Sequence, residues 1–348
     1  MPDVQGQPTL ALWRRLDAVH YLMLAEHGYA DSAPLSTVFN PLAPVGFRVL
    51  DRLLPGPVDL GAAVFSMLSF AFALALLWRL CATYYGDARL GLWTVAVCAI
   101  LPTAQAFSAP MSDSIYLALA LAAFYAATTR HWALTGLFGL LATLARSQGV
   151  VLAVVAAYML SAEARARSAA WPDRLRYMVV RGWPLAIIPL GFVLFLLYRD
   201  TLGLASIADV YSEKYHHYMI SPLEGLVLNF RTLVTHPFGP HSIDLSLLVV
   251  YLGLIVVALR APQHRRVPLL LYTVGHILVF VSKVNQFEDV VYTQGFARYV
   301  LALFPATILI AGWLRNAKDW KRKTFVAASL SGLLLFSAVH ALGFGAVF

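Results

Sequence analysis

Long runs without a charged residue recur along the sequence after residue 58, and they restrict its possible folds more than any other feature. Hydrophobic residues fill 60% of the 348 positions and charged residues only 13%, unlike the usual soluble domain. We therefore predict an all-α polytopic membrane protein with about ten transmembrane helices, several of them short or re-entrant. The runs are 60–78, 90–112, 114–129, 131–145, 147–161, 182–198, 245–259, 267–282, 299–314 and 324–348.

The charges in the connecting loops predict the orientation of the chain. Sorted into two alternating sets, the loops divide into one set with 16 cations and 4 acids and another with 10 cations and 14 acids. Cationic side chains favour the cytoplasmic face, so we predict that the basic set is cytoplasmic and the other set extracytoplasmic. The 21 arginines against 5 lysines favour a bacterial plasma membrane.

The formal net charge of +8 follows from the same bias toward the inner loops. The arginines are spread over several short loops instead of one patch, which suits contact with lipid headgroups. We therefore predict membrane lipids as partners and exclude a nucleic-acid partner.

The sequence divides into an outer segment, residues 1–57, and a transmembrane bundle, residues 58–348, which carries outer loops at 199–244 and 283–298. Several prolines limit helix length in the outer segment, where residues 45–54 are predicted to form a short interfacial helix. Either the first crossing inserts with its N-terminus outside, or one more helix precedes the outer segment, and we favour the second.

Ionisable residues concentrate just ahead of the first apolar run, in residues 13–29. Since almost everything after residue 58 is apolar, this is where chemistry could concentrate, and the carboxyl group of Asp17 is the leading candidate. The group consists of Arg14, Arg15, Asp17, His20, Glu26 and His27.

Two charged residues further along the chain each allow two interpretations. Asp113 precedes a predicted helix, where a carboxylate either stabilises the helix N-terminus or serves the site. Arg146 lies between two short apolar helices, and an arginine near the bilayer is costly without an anionic partner. We favour anion binding over extension of Arg146 to the interface.

The outer loop at 199–244 carries an aromatic and polar run, Tyr-Ser-Glu-Lys-Tyr-His-His-Tyr, at residues 211–218. These residue types suit contacts with a sugar or a lipid headgroup. They also form ordinary interfacial belts, which we prefer from the run alone. His216 and His217 are adjacent, which supports a metal site only weakly.

Four motifs in order resemble those of the PIG-V-like mannosyltransferases, multispanning glycosyltransferases of the GT-C superfamily. Trp13–Tyr29 resembles their Arg-Trp-Asp-x-x-x-Tyr-x-x-x-Ala-x-x-Gly-Tyr signature, and Pro110–Tyr116 their Ser-Glu-Ser-Leu-Tyr/Phe motif. Leu144–Gly149 is similar to their Thr-Arg-Pro/Ser-Gln/Asn-Gly turn, and Arg298–Pro305 to their Arg-Tyr-x-Leu-x-x-Phe-Pro helix.

The sequence departs from this family at three places. Leu16 replaces the usual tryptophan before the aspartate, and His20 stands at a common aromatic position. Asn40–Pro44 replaces a Phe-Pro-Leu-Tyr-Pro pattern. These departures bear first on the choice of acceptor.

The resemblance implies a GT-C-type helical bundle whose extracytoplasmic loops carry the active site. It also implies an inverting transfer of a sugar, usually mannose, from a polyprenyl-phosphate donor to a lipid or glycan acceptor hydroxyl. Asp17 would be the general base, Arg146 and Arg298 would hold the departing phosphate, and Asp113 would orient the donor sugar or acceptor. The matched motifs imply further substrate-binding residues, Gln148, Tyr299, His20 and Arg14.

The resemblance implies no metal and no other cofactor. A monophosphate leaving group carries less charge than a nucleotide diphosphate, and the sequence has no Asp-x-Asp motif that matches a metal-dependent transferase. Two other classes stay open: a flippase or transporter of lipid-linked sugars, which also needs polar groups amid helices, and an inactive binding subunit. Ionisable groups gathered at one face favour the enzyme.

Overall fold

The computed structural model describes residues 13–239, 241–260, 263–287 and 290–342, so residues 1–12 of the outer segment and 288–289 of the last outer loop lie outside it. The α-helices are α1 (Asp17–His27), α2 (Leu42–Leu53), α3 (Val58–Tyr84), α4 (Ala88–Ile100), α5 (Asp113–Thr128), α6 (Trp132–Ala145), α7 (Val151–Arg167), α8 (Trp171–Gly182), α9 (Ile187–Thr201), α10 (Ile207–Tyr215), α11 (Pro222–Thr235), α12 (Ser242–Ala258), α13 (Gln263–Val281), α14 (Phe296–Tyr299), α15 (Phe304–Asn316) and α16 (Asp319–Leu342). Short 3-10 turns lie at Pro34–Val38, Ala104–Phe107, Ser147–Val150, Trp183–Ala186 and Val300–Ala302.

Ten apolar helical segments lie within the described residues, as many as the charge-free runs predict. Four are long and apolar enough to cross a bilayer alone, and a fifth is a pair of helices bent by 78° at Leu303. The remaining five are shorter, with 10–17 residues each, as the short charge-free runs predict. The four long segments are Val58–Tyr84, Ser147–Arg167, Trp171–Thr201 and Asp319–Val339. The chain is a polytopic helical membrane protein.

Helix α5 is the buried centre of the bundle. Six alanines along it are buried, and α3 and α6 pack against it. Small side chains let helix backbones approach closely, which is the main source of packing energy where no water is displaced. Two of its aromatic side chains, Tyr116 and Phe124, are each 1% exposed. The Tyr116 hydroxyl hydrogen-bonds His276 of α13, so a buried polar pair also joins these helices.

Glycines bring α6 and α9 together. A side chain on Gly136 would lie 2.2 Å from the carbonyl oxygen of Pro184, and one on Gly139 would lie 2.6 Å from Ile188. On the facing helix, a side chain on Gly191 would lie 2.8 Å from the carbonyl oxygen of Leu140. Glycine at these positions is therefore required for the close packing of the two segments.

One three-stranded antiparallel sheet joins the two large outer loops. Its order is β1 (His217–Met219), β2 (Lys283–Phe287) and β3 (Val290–Tyr292). His217 pairs with Asn285, and Met219 pairs with Lys283. No strand is predicted from the sequence, because each strand has only three to five residues and β1 pairs with residues more than sixty positions away.

The outer segment is fastened to the bundle by charge and by packing. Arg14 donates two hydrogen bonds of 2.8 Å to Asp59 in the first turn of α3, and a third of 2.5 Å to Glu26. Leu22 of α1 and Phe47 of α2 are fully buried between the helices. Helix α2 covers most of the short helix that is predicted at 45–54.

Replacing Gly136 by alanine should lower the free energy of unfolding by about 1–3 kcal/mol, because the new methyl group meets backbone that cannot move aside. Gly253→Ala is the matched control, since a side chain there meets open space on the exposed side of α12. Unfolding of the purified variants in detergent measures both changes. Equal stabilities for the two variants would contradict the packing of α6 against the turn Trp183–Ala186 that precedes α9.

Candidate active site

A cavity of about 480 Å³ lies where the outer segment, the bundle and the outer loops meet. Its lining comes from α1, α9, α10, β1, the junction of α13 with β2, and the residues around α14. Among the residues predicted from the sequence, Asp17, Arg146, Gln148, Arg298 and Tyr299 line it. Three motifs that are far apart in the chain therefore meet at one surface.

Asp17 is the first residue of α1 and lies on the cavity wall. Its Oδ2 accepts a 2.6 Å hydrogen bond from Nη2 of Arg298, and its side chain keeps 30% of its surface exposed. The preceding residue, Leu16, has φ +52°, a conformation that costs a non-glycine residue about 1–3 kcal/mol. This turn starts the helix at Asp17 and leaves the carboxylate accessible from the cavity.

Arg298 is held by a turn that an acidic side chain organises. Gly295 has φ +78°, which suits glycine, and starts the single turn of α14. The carboxylate of Asp244 accepts the backbone N–H groups of Gly295 at 3.0 Å and Ala297 at 2.8 Å. Asp244 therefore fixes the backbone that presents Arg298, although its sequence context carries no sign of this role.

Asp113 links the two arginines. Arg146 donates a hydrogen bond to Oδ1 of Asp113, and Nε of Arg298 lies 3.7 Å from the same oxygen. The side chains of Asp113 and Arg298 are 4% and 8% exposed, so both charges are largely removed from bulk water. Tyr299 lies beside both guanidinium groups, with its ring centre 5.4 Å from Arg146 and 5.7 Å from Arg298.

This network leaves bonding capacity unused. Oδ2 of Asp113 and Nε of Arg298 are buried and have no hydrogen-bond partner within the described part of the chain. Buried polar atoms without partners are costly and usually mark a place that a ligand or water completes. Arg298 lines the cavity, so its Nε is a charged donor that a bound molecule can reach, whereas Asp113 does not line the cavity.

The turn after α6 presents Arg146 and Gln148 to the cavity. Gly149 permits this turn, because a side chain there would lie 2.4 Å from the backbone nitrogen of Thr143. Asn40 ties the turn to the outer segment by donating to the Thr143 carbonyl at 3.0 Å and accepting from Ser147 at 3.2 Å. Asn40 lies in the segment where the sequence departs from the family pattern, and its buried amide fits this contact.

His20 and Arg14 do not line the cavity. His20 stacks on Phe39 with ring centres 5.1 Å apart, and its ring nitrogens hydrogen-bond Ser36 at 2.9 Å and Tyr215 at 3.3 Å. It therefore supports two lining residues, Phe39 and Tyr215. Arg14 is occupied by its carboxylate partners in the outer segment. Their predicted roles in substrate binding stay predictions.

Four further lining residues of the cavity are not predicted from the sequence as substrate-binding residues. Lys283 begins β2, and its Nζ lies 4.1 Å from the ring centre of Tyr211. His217 and Gln294 complete this side together with Tyr215. The aromatic run at 211–218 is the available signal in the sequence, but the sheet that brings Lys283 beside it is not predictable from that run.

The electrostatics of the cavity keep Asp17 ionised. Burial acts to raise the pKa of Asp17, but the charges of Arg298 and Lys283 and the hydrogen bond from Arg298 outweigh it and lower the pKa below its ordinary value. Burial lowers the pKa of His20, so its imidazole is neutral at pH 7. Within the described ranges, no three His, Cys, Asp or Glu side chains come close enough to hold a metal ion.

The fold is the polytopic helical bundle of the GT-C class. The chain superposes on the crystal structure of ArnT from Cupriavidus metallidurans bound to undecaprenyl phosphate, with a TM-score of 0.55 and 16% identity. The match covers 95% of this chain and 63% of that one, so the chain spans less than two thirds of the length of ArnT. Neither the known family profiles nor the curated protein sequences give a match.

The pKa of Asp17 can be tested through the pH dependence of stability. A carboxylate whose pKa is lower in the folded state stabilises the fold above its ordinary pKa, which is 3.8 for aspartate, and loses that effect as the pH falls. We expect the stability difference between the wild type and Asp17→Asn to be constant from about pH 8 to 5 and to shrink only below about pH 4. Thermal unfolding in detergent at each pH measures this difference.

The same comparison in an Arg298→Gln background tests the cause. Without the guanidinium, the effect of burial on the pKa of Asp17 is opposed less strongly, so the stability difference should begin to shrink at a higher pH. With Arg298 present, a stability difference between the wild type and Asp17→Asn that already narrows between pH 7 and 5 would contradict the assigned ion pair.

Proposed function

We propose that the protein is an inverting glycosyltransferase that moves a sugar from a polyprenyl-phosphate donor to a hydroxyl of a lipid or glycan acceptor. We assign mannose as the sugar and the extracytoplasmic face of the membrane as the place of the reaction. The observation that carries the proposal is the ion pair of Asp17 with Arg298 on the cavity wall, with Arg146 beside it. This arrangement offers a proton acceptor next to a place for an anionic leaving group.

In the proposed reaction, the acceptor oxygen attacks the anomeric carbon of the donor sugar. The bond from that carbon to the phosphate oxygen breaks, and the phosphate leaves with the electron pair. Asp17 takes the proton of the acceptor hydroxyl. The donor phosphate carries one negative charge and the released phosphate approaches two, so cations that face it stabilise the transition state more than the bound donor.

Arg146 and Arg298 are the cations assigned to this phosphate. In the empty site, Asp113 and Asp17 neutralise them, so no guanidinium is buried alone. A phosphate in the cavity shares Arg298 with Asp17. The interaction of Arg298 with the Asp17 carboxylate then weakens, so the pKa of Asp17 rises. Asp17 is therefore a stronger base once the donor is bound.

The structural relative supports this choice of donor class. ArnT from Cupriavidus metallidurans was crystallised with undecaprenyl phosphate, a polyprenyl phosphate. Our assignment of mannose depends on the four sequence motifs, and the assignment of the face depends on the distribution of charge between the loops. A lipid-borne donor also suits a cavity at the ends of apolar helices.

Asp17→Asn should reduce sugar transfer by about 100-fold or more, because the amide cannot accept the hydroxyl proton. The assay incubates purified protein with radiolabelled polyprenyl-phosphate mannose and a lipid extract, and it measures label in a new covalent product. Asp31→Asn is the matched control, since Asp31 is an exposed acid of the same outer segment. Its activity should equal that of the wild type.

Full transfer by a correctly folded Asp17→Asn variant would reject Asp17 as the base. Label that crosses sealed vesicles without entering a new covalent product would instead support a flippase or transporter. The two outcomes are separated by chromatography of the labelled lipids.

Arg146→Gln should weaken binding of undecaprenyl phosphate by about 10- to 100-fold, because it removes a charged hydrogen-bond donor from the phosphate site. Arg231→Gln is the control, since Arg231 is exposed on α11 and lies outside the cavity lining. Equilibrium binding to the purified proteins in detergent measures both affinities. Unchanged affinity in Arg146→Gln would remove Arg146 from the assigned phosphate site.

A further inference from the structure

One side of the cavity is built by the outer loops and has no role in the proposed reaction so far. We call it the outer wall and define it as Tyr211, Tyr215, His217, Lys283 and Gln294, which all line the cavity. The rings of Tyr215 and His217 are stacked with centres 5.7 Å apart and planes 18° from parallel, and the ring of Tyr211 lies 5.7 Å from that of Tyr215. Strand pairing between β1 and β2 brings these residues together.

Lys283 is the cation of the cavity that has no acid of its own. Arg146 and Arg298 are paired with Asp113 and Asp17, whereas no carboxylate in the described ranges lies within 4.0 Å of the Lys283 ammonium. Lys283 instead lies over the ring of Tyr211. Three cations and one acid line the cavity, and Asp113 pairs with Arg146 without lining it, so one positive charge remains in excess. That charge is on Lys283, at the outer wall.

The Lys283 ammonium is charged at neutral pH. Burial acts to lower the pKa of Lys283, but its neighbours Tyr211, Tyr299 and Asp17 raise it above the ordinary lysine value. A charged and unpaired ammonium beside a cavity is a binding point for an anion.

His217 supplies a hydrogen-bond acceptor to the same wall. Its Nε2 lies 3.2 Å from Oε1 of Gln294, and that oxygen also accepts a 2.7 Å hydrogen bond from Asn285. Because Oε1 can only accept, Nε2 carries a proton. Burial and the charge of Lys283 lower the pKa of His217 to about 4, so the imidazole is neutral at pH 7 and Nδ1 carries no proton. Nδ1 is then a bare acceptor, and it is buried with no partner within the described residues. A ligand hydroxyl would satisfy it.

The two sides of the cavity suit different parts of the reaction. Arg146 and Arg298 come from the ends of apolar helices, where the phosphate of a membrane-bound polyprenyl chain arrives. The outer wall comes from the extramembrane loops, and Lys283 lies close enough to influence the ionisation of Asp17. An inverting displacement needs the acceptor opposite the leaving group, so the acceptor belongs on the outer wall.

We infer that the outer wall is the acceptor subsite and that it selects an anionic acceptor, a hydroxyl-bearing saccharide or polyol that carries a phosphate or carboxylate. Lys283 binds the anionic group, Nδ1 of His217 accepts a hydroxyl, and the tyrosine rings cover the apolar face of the molecule. This inference rests on the proposed function and adds the class of acceptor.

The test measures binding of mannose 6-phosphate and of mannose to the purified protein in detergent, with undecaprenyl phosphate present at saturation. Undecaprenyl phosphate occupies the arginine side, so the sugars report on the outer wall. Mannose 6-phosphate should bind about 10-fold or more tightly than mannose. Lys283→Met should reduce this preference to about 2-fold or less, while Lys283→Arg and the surface control Arg231→Met should keep it.

Three results would overturn the inference: equal affinity for the two sugars, no binding of mannose 6-phosphate up to about 10 mM, or displacement of mannose 6-phosphate by undecaprenyl phosphate. The third result would assign Lys283 to the carrier phosphate. Gel filtration shows whether Lys283→Met is folded, and Lys283→Arg tests the positive charge in a variant that keeps it.

A parallel assay of sugar transfer separates this inference from the proposed function, because binding of mannose 6-phosphate to the outer wall requires no transfer. Selective binding by a wild-type protein that transfers no sugar to any phosphorylated acceptor would leave the subsite standing and reject the transferase.

Discussion

The ion pair between Asp17 and Arg298 is the contact on which the rest of the site depends. It joins residues 281 positions apart, so it links the outer segment to the last third of the bundle at the wall of the cavity. Removal of one partner from a buried pair typically costs about 3–5 kcal/mol, because the other charge is left without compensation. Asp244 fixes the backbone on one side of this contact, and the turn at Leu16 fixes it on the other.

The balance of charge explains how such a site persists before a ligand arrives. Two guanidinium groups and two carboxylates neutralise each other, and Tyr299 lies beside both arginines. Three of the seven buried side-chain atoms that lack a hydrogen-bond partner within the described residues belong to this network or to the outer wall, on Asp113, Arg298 and His217. A ligand that pairs with the atoms on Arg298 and His217 would recover part of the cost of burying them.

The sequence predicts those parts of the structure that depend on local pattern. Charge-free runs are enough to locate the ten apolar helices, because a bilayer makes hydrophobic length the dominant signal. The motif resemblance selects Asp17, Arg146 and Arg298, which do meet at the cavity. Lys283 and Asp244 are missed, since their importance depends on a sheet and a turn that only the folded chain brings together. His20 and Arg14 belong to the matched motif, yet their side chains are occupied by Tyr215 and Asp59.

The 78° bend at Leu303 has a consequence for how the membrane acts on the cavity. A straight helix rises about 1.5 Å per residue, so without the bend Arg298 would extend about 9 Å beyond Phe304 along the axis of α15. The bend turns this part of the chain sideways over the end of the bundle. If α15 tilts about Leu303 and the angle of the bend is kept, the guanidinium group moves mainly along the axis of α15, and its separation from neighbouring charges changes. Tilting is one response of a membrane helix to bilayer thickness, so we expect the geometry of the ion pair between Asp17 and Arg298 to respond to the thickness of the surrounding bilayer.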